Sequence, residues 1–399
     1  MHTLDDLDNG RLAGLHHVRL THLGLTEFPR QLFDLADSLE ILDLSGNQLT
    51  SLPDDLQRLT KLRILFASNN PFTELPRALG SCQQLQMVGF KACRIRHVPA
   101  DSLPQQLRWL ILTDNQLTEL PPSLGQCHQL QKLMLSCNLL PSLPDLHHCH
   151  QLELLRLASN QLSAIPPAVL QAPALAWTAL GGNPMTQKSE QLTLAISAQT
   201  AISYQSLDIG PLLGAGASGH IYQALRTDTG EPIALKVFKA AHTSDGTPES
   251  ELAAGLAVGS HPHLLTPLAP VNGHPEGKLA MALPLLPADY ISLAAPPSFN
   301  SCTRDVYAHN IRMTPEIAQR LLACIRSAVG HLHVHGVLHG DLYAHNILWD
   351  PHTGDAILSD FGAAMLTHGL PPQHIAQLQA MEWRAFAHLQ TEVLERCTP

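Results

Sequence analysis

Leu107-Arg-Trp-Leu-Ile-Leu-Thr-Asp-Asn-Gln-Leu-Thr-Glu-Leu-Pro121 is one copy of the pattern that decides the fold. Its template, L-x-x-L-x-L-x-x-N-x-L-x-x-L-P, starts at Leu15, Leu39, Leu62, Leu85, Leu107, Leu130, Leu152 and Leu175, in steps of 22 to 24 residues. A fixed period of this size marks a stack of repeated units. The ninth position is Leu23, Asn47, Asn70, Cys93, Asn115, Asn138, Asn160 and Asn183, so seven of eight copies offer Asn or Cys there. Each unit therefore supplies a short strand whose leucines face a shared core. The turn that follows buries backbone groups that an Asn side chain can satisfy. Stacking covers what one unit leaves open. A leucine-rich helical bundle is excluded, because Pro closes most copies and would break helices.

Over residues 15–185 the sequence resembles a leucine-rich repeat domain of eight units, with residues 1–14 as N-terminal cap and 186–203 as C-terminal cap and linker. Strand residues alternate faces, so the third and fifth template positions point onto the concave surface. They include Ile41, Ile64, Phe66, Met87, Trp109, Ile111, Met134, Leu154 and Trp177. This apolar, partly aromatic stripe is expected to recruit a protein partner, since contiguous exposed apolar surface usually marks an interface.

At 399 residues the chain predicts two or three domains, and 45% hydrophobic against 15% charged residues excludes disorder as its main state. A net charge of -10 leaves no basic footprint for nucleic acid or an anionic membrane. Met1 to Gly10 is acidic and lacks a basic segment followed by an apolar one, and no stretch approaches the roughly 18 apolar residues that span a bilayer. Eight dispersed cysteines suit a reducing compartment. A soluble cytoplasmic protein is expected. The clusters His147-His148-Cys149-His150 and His331, His333, His335, His339 lack zinc-ligand spacing and are expected to be structural.

From Tyr204 the repeat vanishes and a second set of motifs begins. Gly214-Ala-Gly-Ala-Ser-Gly219 is a G-x-G-x-x-G run, by itself compatible with a dinucleotide site. The acidic residue that a dinucleotide fold places about 20 residues later is replaced by Lys236, in Ala234-Leu-Lys236. Pro248-Glu-Ser-Glu251 opens a helical segment that leads to His261-Pro-His-Leu-Leu, and Thr314 to His333 has an amphipathic helical pattern. Then come His339-Gly-Asp341-Leu-Tyr-Ala-His-Asn346 and Asp360-Phe-Gly362.

This order resembles the protein kinase family: Gly-rich loop, A-x-K strand, helix carboxylate, catalytic loop H-R-D-L-x-x-x-x-N and D-F-G. The resemblance implies an α+β two-lobed domain at 204–399, with N-lobe 204–283, hinge 284–288 and a C-lobe 289–399 that is shortened. It implies ATP and Mg2+ as cofactors and transfer of the γ-phosphate to a protein hydroxyl, serine or threonine. Asp341 would act on the acceptor hydroxyl, Lys236 would fix the nucleotide with Glu251 clamping it (Glu249 being second choice), and Asn346 and Asp360 would hold Mg2+. Gly214, Ala215, Gly216, Ala217, Ser218, Gly219, Ile221, Ala234, Met281, Leu283 and Leu348 would surround ATP. Three departures stand out: Gly340 replaces the Arg of H-R-D, Tyr343 stands where serine/threonine kinases usually carry Lys, and Thr367 is the only hydroxyl residue between Gly362 and Glu382. Activity independent of activation-loop phosphorylation is expected. The segment from Glu382 to Leu394 is similar to helix αF, with Glu382 for Asp. The loop pattern is also similar to aminoglycoside and choline phosphotransferases, and a nucleotide-binding pseudokinase scaffold is the other alternative.

Overall fold

The computed structural model describes residues 2–216, 218–240, 243 and 245–398. Ala217, named above as an ATP-loop residue, lies outside the described residues. The chain divides into two units, one of residues 1–155 with 160–175, the other of 156–159 with 176–399.

Helix α1 (Leu4–Asp8) opens the chain on a reciprocal cap: Thr3 Oγ1 accepts the Asp6 N–H, and Asp6 accepts the Thr3 N–H. Each template copy then gives one three-residue strand at positions three to five: β1 (His17–Arg19), β2 (Ile41–Asp43), β3 (Ile64–Phe66), β4 (Met87–Gly89), β5 (Trp109–Ile111), β6 (Lys132–Met134), β7 (Leu154–Arg156) and β8 (Trp177–Ala179). They form an eight-stranded sheet in chain order. The pairing is parallel and in register from β1 to β6, for example Met87 against Trp109 and Trp109 against Lys132. The return segments after β1, β2, β3 and β5 carry short 3-10 turns and the one before β8 carries helix α2 (Pro167–Gln171); Pro29, Pro76, Pro121 and Pro166 cap four of these five.

The fourth template position is the core: Val18, Leu42, Leu65, Val88, Leu110 and Leu133 are at most 1% exposed. The ninth position joins neighbouring turns. Asn115 donates through Nδ2 to Phe90 O at 2.8 Å and Leu112 O at 3.0 Å, while its Oδ1 accepts the Ile95 N–H at 3.0 Å. Asn47, Asn70 and Asn138 repeat the arrangement.

The concave stripe needs correction. Ile64, Met87, Leu154 and Trp177 are buried, whereas Ile41, Phe66, Trp109, Ile111 and Met134 are half-buried. Strict register explains part of this, because it sets equivalent side chains side by side, about 4.8 Å apart, where each covers the next. Phe66 lies over Gly89, whose missing Cβ would sit 2.5 Å from the ring. The Lys132 ammonium lies 4.2 Å from the centre of the Trp109 ring.

The second unit begins with residues 156–159 and resumes at Ala176. After β8 comes α3 (Pro184–Ser197), whose Glu190 accepts the Gly182 N–H at 2.9 Å. Strands β9 (Ile202–Ser203), β10 (Leu207–Ala215), β11 (Gly219–Arg226), β12 (Pro232–Phe238), β13 (Ala269–Asn272) and β14 (Ala280–Pro284) make a six-stranded sheet of order β10-β11-β12-β14-β13-β9. Alternation along β12 sends Ile233, Leu235 and Val237 into one core and Ala234 and Phe238 into another, with Leu252 of α4 (Pro248–Val258). Lys236 shares that second face. Thr247 caps α4 by accepting the Ser250 N–H, and Pro248 takes its first turn.

The remainder holds β15 (Ile291–Ser292), α5 (Pro315–Val334), β16 (Val337–Leu338), β17 (Ile347–Trp349), β18 (Ala356–Leu358), β19 (Met365–Leu366) and α6 (Pro372–Leu394). β15, β17 and β18 form one small sheet and β16 with β19 another. Buried Leu321, Ile325, Val329 and Leu332 give α5 its inner face.

Candidate functional site

A cavity of about 400 Å³ opens between the β10–β11 turn, the β12 and β14 faces, and the loop that precedes β17. Its lining includes Gly216, Ser218, Gly219, Ile221, Lys236, Glu251, Met281, Leu283, Asn346, Leu348 and Asp360. The structure thus brings together most residues singled out from the sequence. Gly214 and Ala215 lie on β10 outside the lining, and Ala234 is buried beside Met281 and Leu283. Thr243, Asp245 and His345 line the cavity too and carried no sequence signal of their own.

The glycines serve different ends. A Cβ on Gly219 would stand 2.7 Å from the Val237 carbonyl, so this position is fixed by packing on β12. Gly214 and Gly216 have no such neighbour; they leave backbone accessible. The turn is held by Gly216 N–H to Gly219 O at 3.0 Å and by Lys239 Nζ to Gly216 O at 2.7 Å.

Lys236 Nζ donates to Glu251 Oε1, and both side chains are buried. Glu249 is exposed on the far side of the same turn. Burial pushes the Glu251 carboxyl up to about 7; Lys236 opposes this, while the charges of Asp360 and Asp245 add to it. Three carboxylates therefore crowd one cavity with a single lysine among its lining residues. Such a site favours a further cation. Asn346 spends its Nδ2 on Asp341, on the backbone O at 2.9 Å and Oδ2 at 2.8 Å, so its amide oxygen is the atom left for a metal. Asp360 stands in the left-handed region at φ 62 and accepts the Gly362 N–H at 3.0 Å. A carboxylate and an amide oxygen suit Mg2+.

The loop from His339 to Asn346 is fastened at each step. His339 Nε2 bonds the Ser359 carbonyl at 3.0 Å and its Nδ1 accepts the Asp341 N–H at 3.3 Å. Glu382 of α6 accepts the Gly340 N–H at 2.8 Å and is bonded to His333 at 2.7 Å. Glu382 thus holds the loop from beneath. Two further holds come from the strand residues of this unit. Trp177 Nε1 donates to Leu342 O at 2.9 Å and its ring stacks on Tyr343 at 4.2 Å. Arg156 donates to the Gly340 carbonyl at 2.8 Å and to Asp341 Oδ1, and its Nε lies 2.8 Å from Asp245. Burial alone would push the Asp341 carboxyl up, but Arg156, with His345, His339 and the Asn346 amide, holds it below its ordinary value. Asp341 does not line the cavity.

Gly340 is more than a lost Arg. It sits at φ 73, and a Cβ there would meet Thr178 O at 2.3 Å and Ala363 O at 2.7 Å. No other residue fits. Tyr343, in the position of the family's Lys, is buried under Trp177, with no hydrogen-bond partner for its hydroxyl among the described residues. Thr367 is 2% exposed and donates to Gly336 O at 2.9 Å, so its hydroxyl is not presented to solvent. Arg156 was missed entirely, since it reads as an outward-facing position of the seventh repeat.

Residues 207–385 match the family described as protein kinase domain, and residues 13–72 and 105–162 match the leucine rich repeat family. Serine/threonine-protein kinase SBK2 of Rattus norvegicus is 26% identical over 187 residues, covering 44% of this chain and 48% of that protein. Leucine-rich repeat-containing protein 58 of Homo sapiens is 35% identical over 100 residues, 24% of this chain and 27% of that protein. Among solved structures, plant peptide hormone receptor RGFR1 in complex with RGF2 aligns at a TM-score of 0.38 and 24% identity, over 44% of this chain and 30% of that one. The chain spans about half or less of the length of these proteins. It carries leucine-rich repeats followed by a protein kinase domain.

Proposed function

We propose that the chain is a protein kinase that transfers the γ-phosphoryl group of ATP to serine or threonine hydroxyls of a protein. The observation that carries this reading is the buried Lys236–Glu251 pair in one cavity with Asn346 and Asp360. Phosphoryl transfer is mostly positioning and charge neutralisation. Glu251 fixes the Lys236 ammonium where nucleotide phosphates would lie, and Gly216 and Ser218 of the turn lie in the same lining. Ile221, Met281, Leu283 and Leu348 form an apolar wall for the base, with Ala234 buried beside Met281 and Leu283. Asn346 and Asp360 would hold Mg2+, which when bound neutralises phosphate charge. Asp341 takes the acceptor proton on a carboxylate oxygen as the new O–P bond forms and ADP departs.

Thr367 is buried, so activity is independent of its phosphorylation. The half-buried residues of the concave stripe, Ile41, Phe66, Trp109, Ile111 and Met134, are the ones we assign to recruiting a protein partner. No helix among the described residues is long and apolar enough to cross a membrane. A cytoplasmic setting belongs to this reading, since eight dispersed cysteines suit a reducing compartment.

The test is an incubation with Mg2+ and γ-labelled ATP, offering dephosphorylated casein in one arm and kanamycin or choline in another. Label in the protein that requires Asp341 is expected. Label only in the small alcohols would replace this reading by a small-molecule phosphotransferase, and label in neither would leave a nucleotide-binding scaffold.

A further inference from the structure

We propose that Arg156 is an internal occupant of the acceptor subsite: it fills the place beside Asp341 that an incoming hydroxyl needs, and so holds the kinase domain in a state that slows transfer. This rests on the kinase reading above. Both Asp341 carboxylate oxygens are engaged, Oδ1 by Arg156 and Oδ2 by the Asn346 amide at 2.8 Å. An acceptor hydroxyl must come within about 2.6–3.2 Å of that carboxylate to give up its proton. The guanidinium stands in the way.

Arg156 is not a loose surface chain that happens to reach the loop. Its side chain is 3% exposed, and its planar fork is held on three sides, by the Gly340 carbonyl, by Asp341 and by Asp245. Asp245 lines the cavity, so the guanidinium lies between the cavity wall and the base. The surrounding backbone is built for this approach. Gly340, lacking a Cβ, lets the Thr178 carbonyl lie against the loop, and Trp177 covers Tyr343 and bonds Leu342. Residues 340–343 are thereby covered by residues 156, 177 and 178 of the same unit, which accounts for the absence of Asp341 from the cavity lining. An arginine placed only to neutralise a buried aspartate would not need the carbonyl of Gly340 or the second carboxylate. Together they fix the fork in one orientation, across the acceptor's route.

The experiment compares the full chain with Arg156→Gln and Arg156→Lys, measuring transfer from Mg2+-ATP to dephosphorylated casein and, in parallel, the affinity for a fluorescent ATP analogue. Casein kcat/KM is expected to rise about tenfold in Arg156→Gln, a typical size for a coupling of this kind, with nucleotide affinity unchanged. Arg156→Lys keeps a cation beside Asp341 but loses the fork; it carries the test if the Gln variant does not fold, and a smaller rise is expected. Transfer by the wild type with no gain in a folded variant, or with a loss, overturns the cap and leaves the kinase reading standing. Nucleotide binding without transfer in all three overturns both.

Discussion

Gly340→Ala is the smallest change that probes how the loop from His339 to Asn346 is seated. Its expected cost has two parts. Holding an L-residue in the left-handed conformation found there, φ 73, costs about 1–2 kcal/mol. The new methyl would lie 2.3 Å from Thr178 O and 2.7 Å from Ala363 O; both are backbone atoms that cannot swing aside. Relieving such overpacking costs about 1–3 kcal/mol more. The expected loss is about 2–5 kcal/mol in the unfolding free energy of the second unit, a large part of the stability of an ordinary domain. With a urea slope of about 2 kcal/mol per molar, the midpoint falls by about 1–2.5 M. Tryptophan fluorescence follows it, since Trp177, Trp349 and Trp383 all lie in this unit. Gly230→Ala is the control: its φ is 74, but a Cβ there meets nothing within 4 Å, so it carries only the conformational part. The difference between the two midpoints measures the clash. Equal shifts, or a Gly340→Ala loss below about 0.5 kcal/mol, would refute the packing argument. Gly340→Arg, which restores the residue of the family motif, should be worse than Ala.

Other expectations follow from the same contacts. Lys236→Met leaves the buried Glu251 without its cation and should cost about 3–5 kcal/mol, while Lys236→Met with Glu251→Met should recover most of that; thermal melts that place single and double variants together would contradict the pairing. At Cys93 the ninth template position bonds Ala67 O only weakly, Sγ to O being 3.6 Å. Cys93→Asn should therefore stabilise the repeats by about 0.5–1.5 kcal/mol in a urea titration, and a loss would show that the turn has adapted to sulfur. Burial pushes the thiols of Cys82, Cys93 and Cys149 up to about 11 and that of Cys127 up to about 12, from 9.0. Because the folded state disfavours the thiolate, this stability is complete below pH 9 and is lost as pH rises through 11. Replacing the four by Ala should flatten the fall of melting temperature above pH 9; an unchanged slope would assign it to other groups.

The repeats were legible because the period itself is the structure: every three-residue strand falls on template positions three to five, and Asn at position nine bonds the neighbouring turn. The Lys236–Glu251 pair was legible as well, since Glu251 lies in the first turn of a helix whose start, Thr247-Pro248, is written locally. Alternation told which face Trp177 and Arg156 occupy but not what lies against it. Arg156 meets Asp341 across 185 residues, and no local pattern encodes that meeting. Gly340 was visible only as a departure from a motif. Its positive φ and the two carbonyls pressed against it turn that departure into a requirement.

The central claim, that Lys236, Glu251, Asn346, Asp360 and Asp341 form a phosphotransfer centre, is tested most directly by counting phosphate moved from γ-labelled Mg2+-ATP onto protein hydroxyls. The comparison sets the wild type beside Asp341→Asn and the folded Lys236→Met/Glu251→Met variant. Slow, time-dependent incorporation by the wild type and none by either variant is predicted. Equal incorporation by all three, or none by the wild type even with Arg156→Gln introduced, would contradict it.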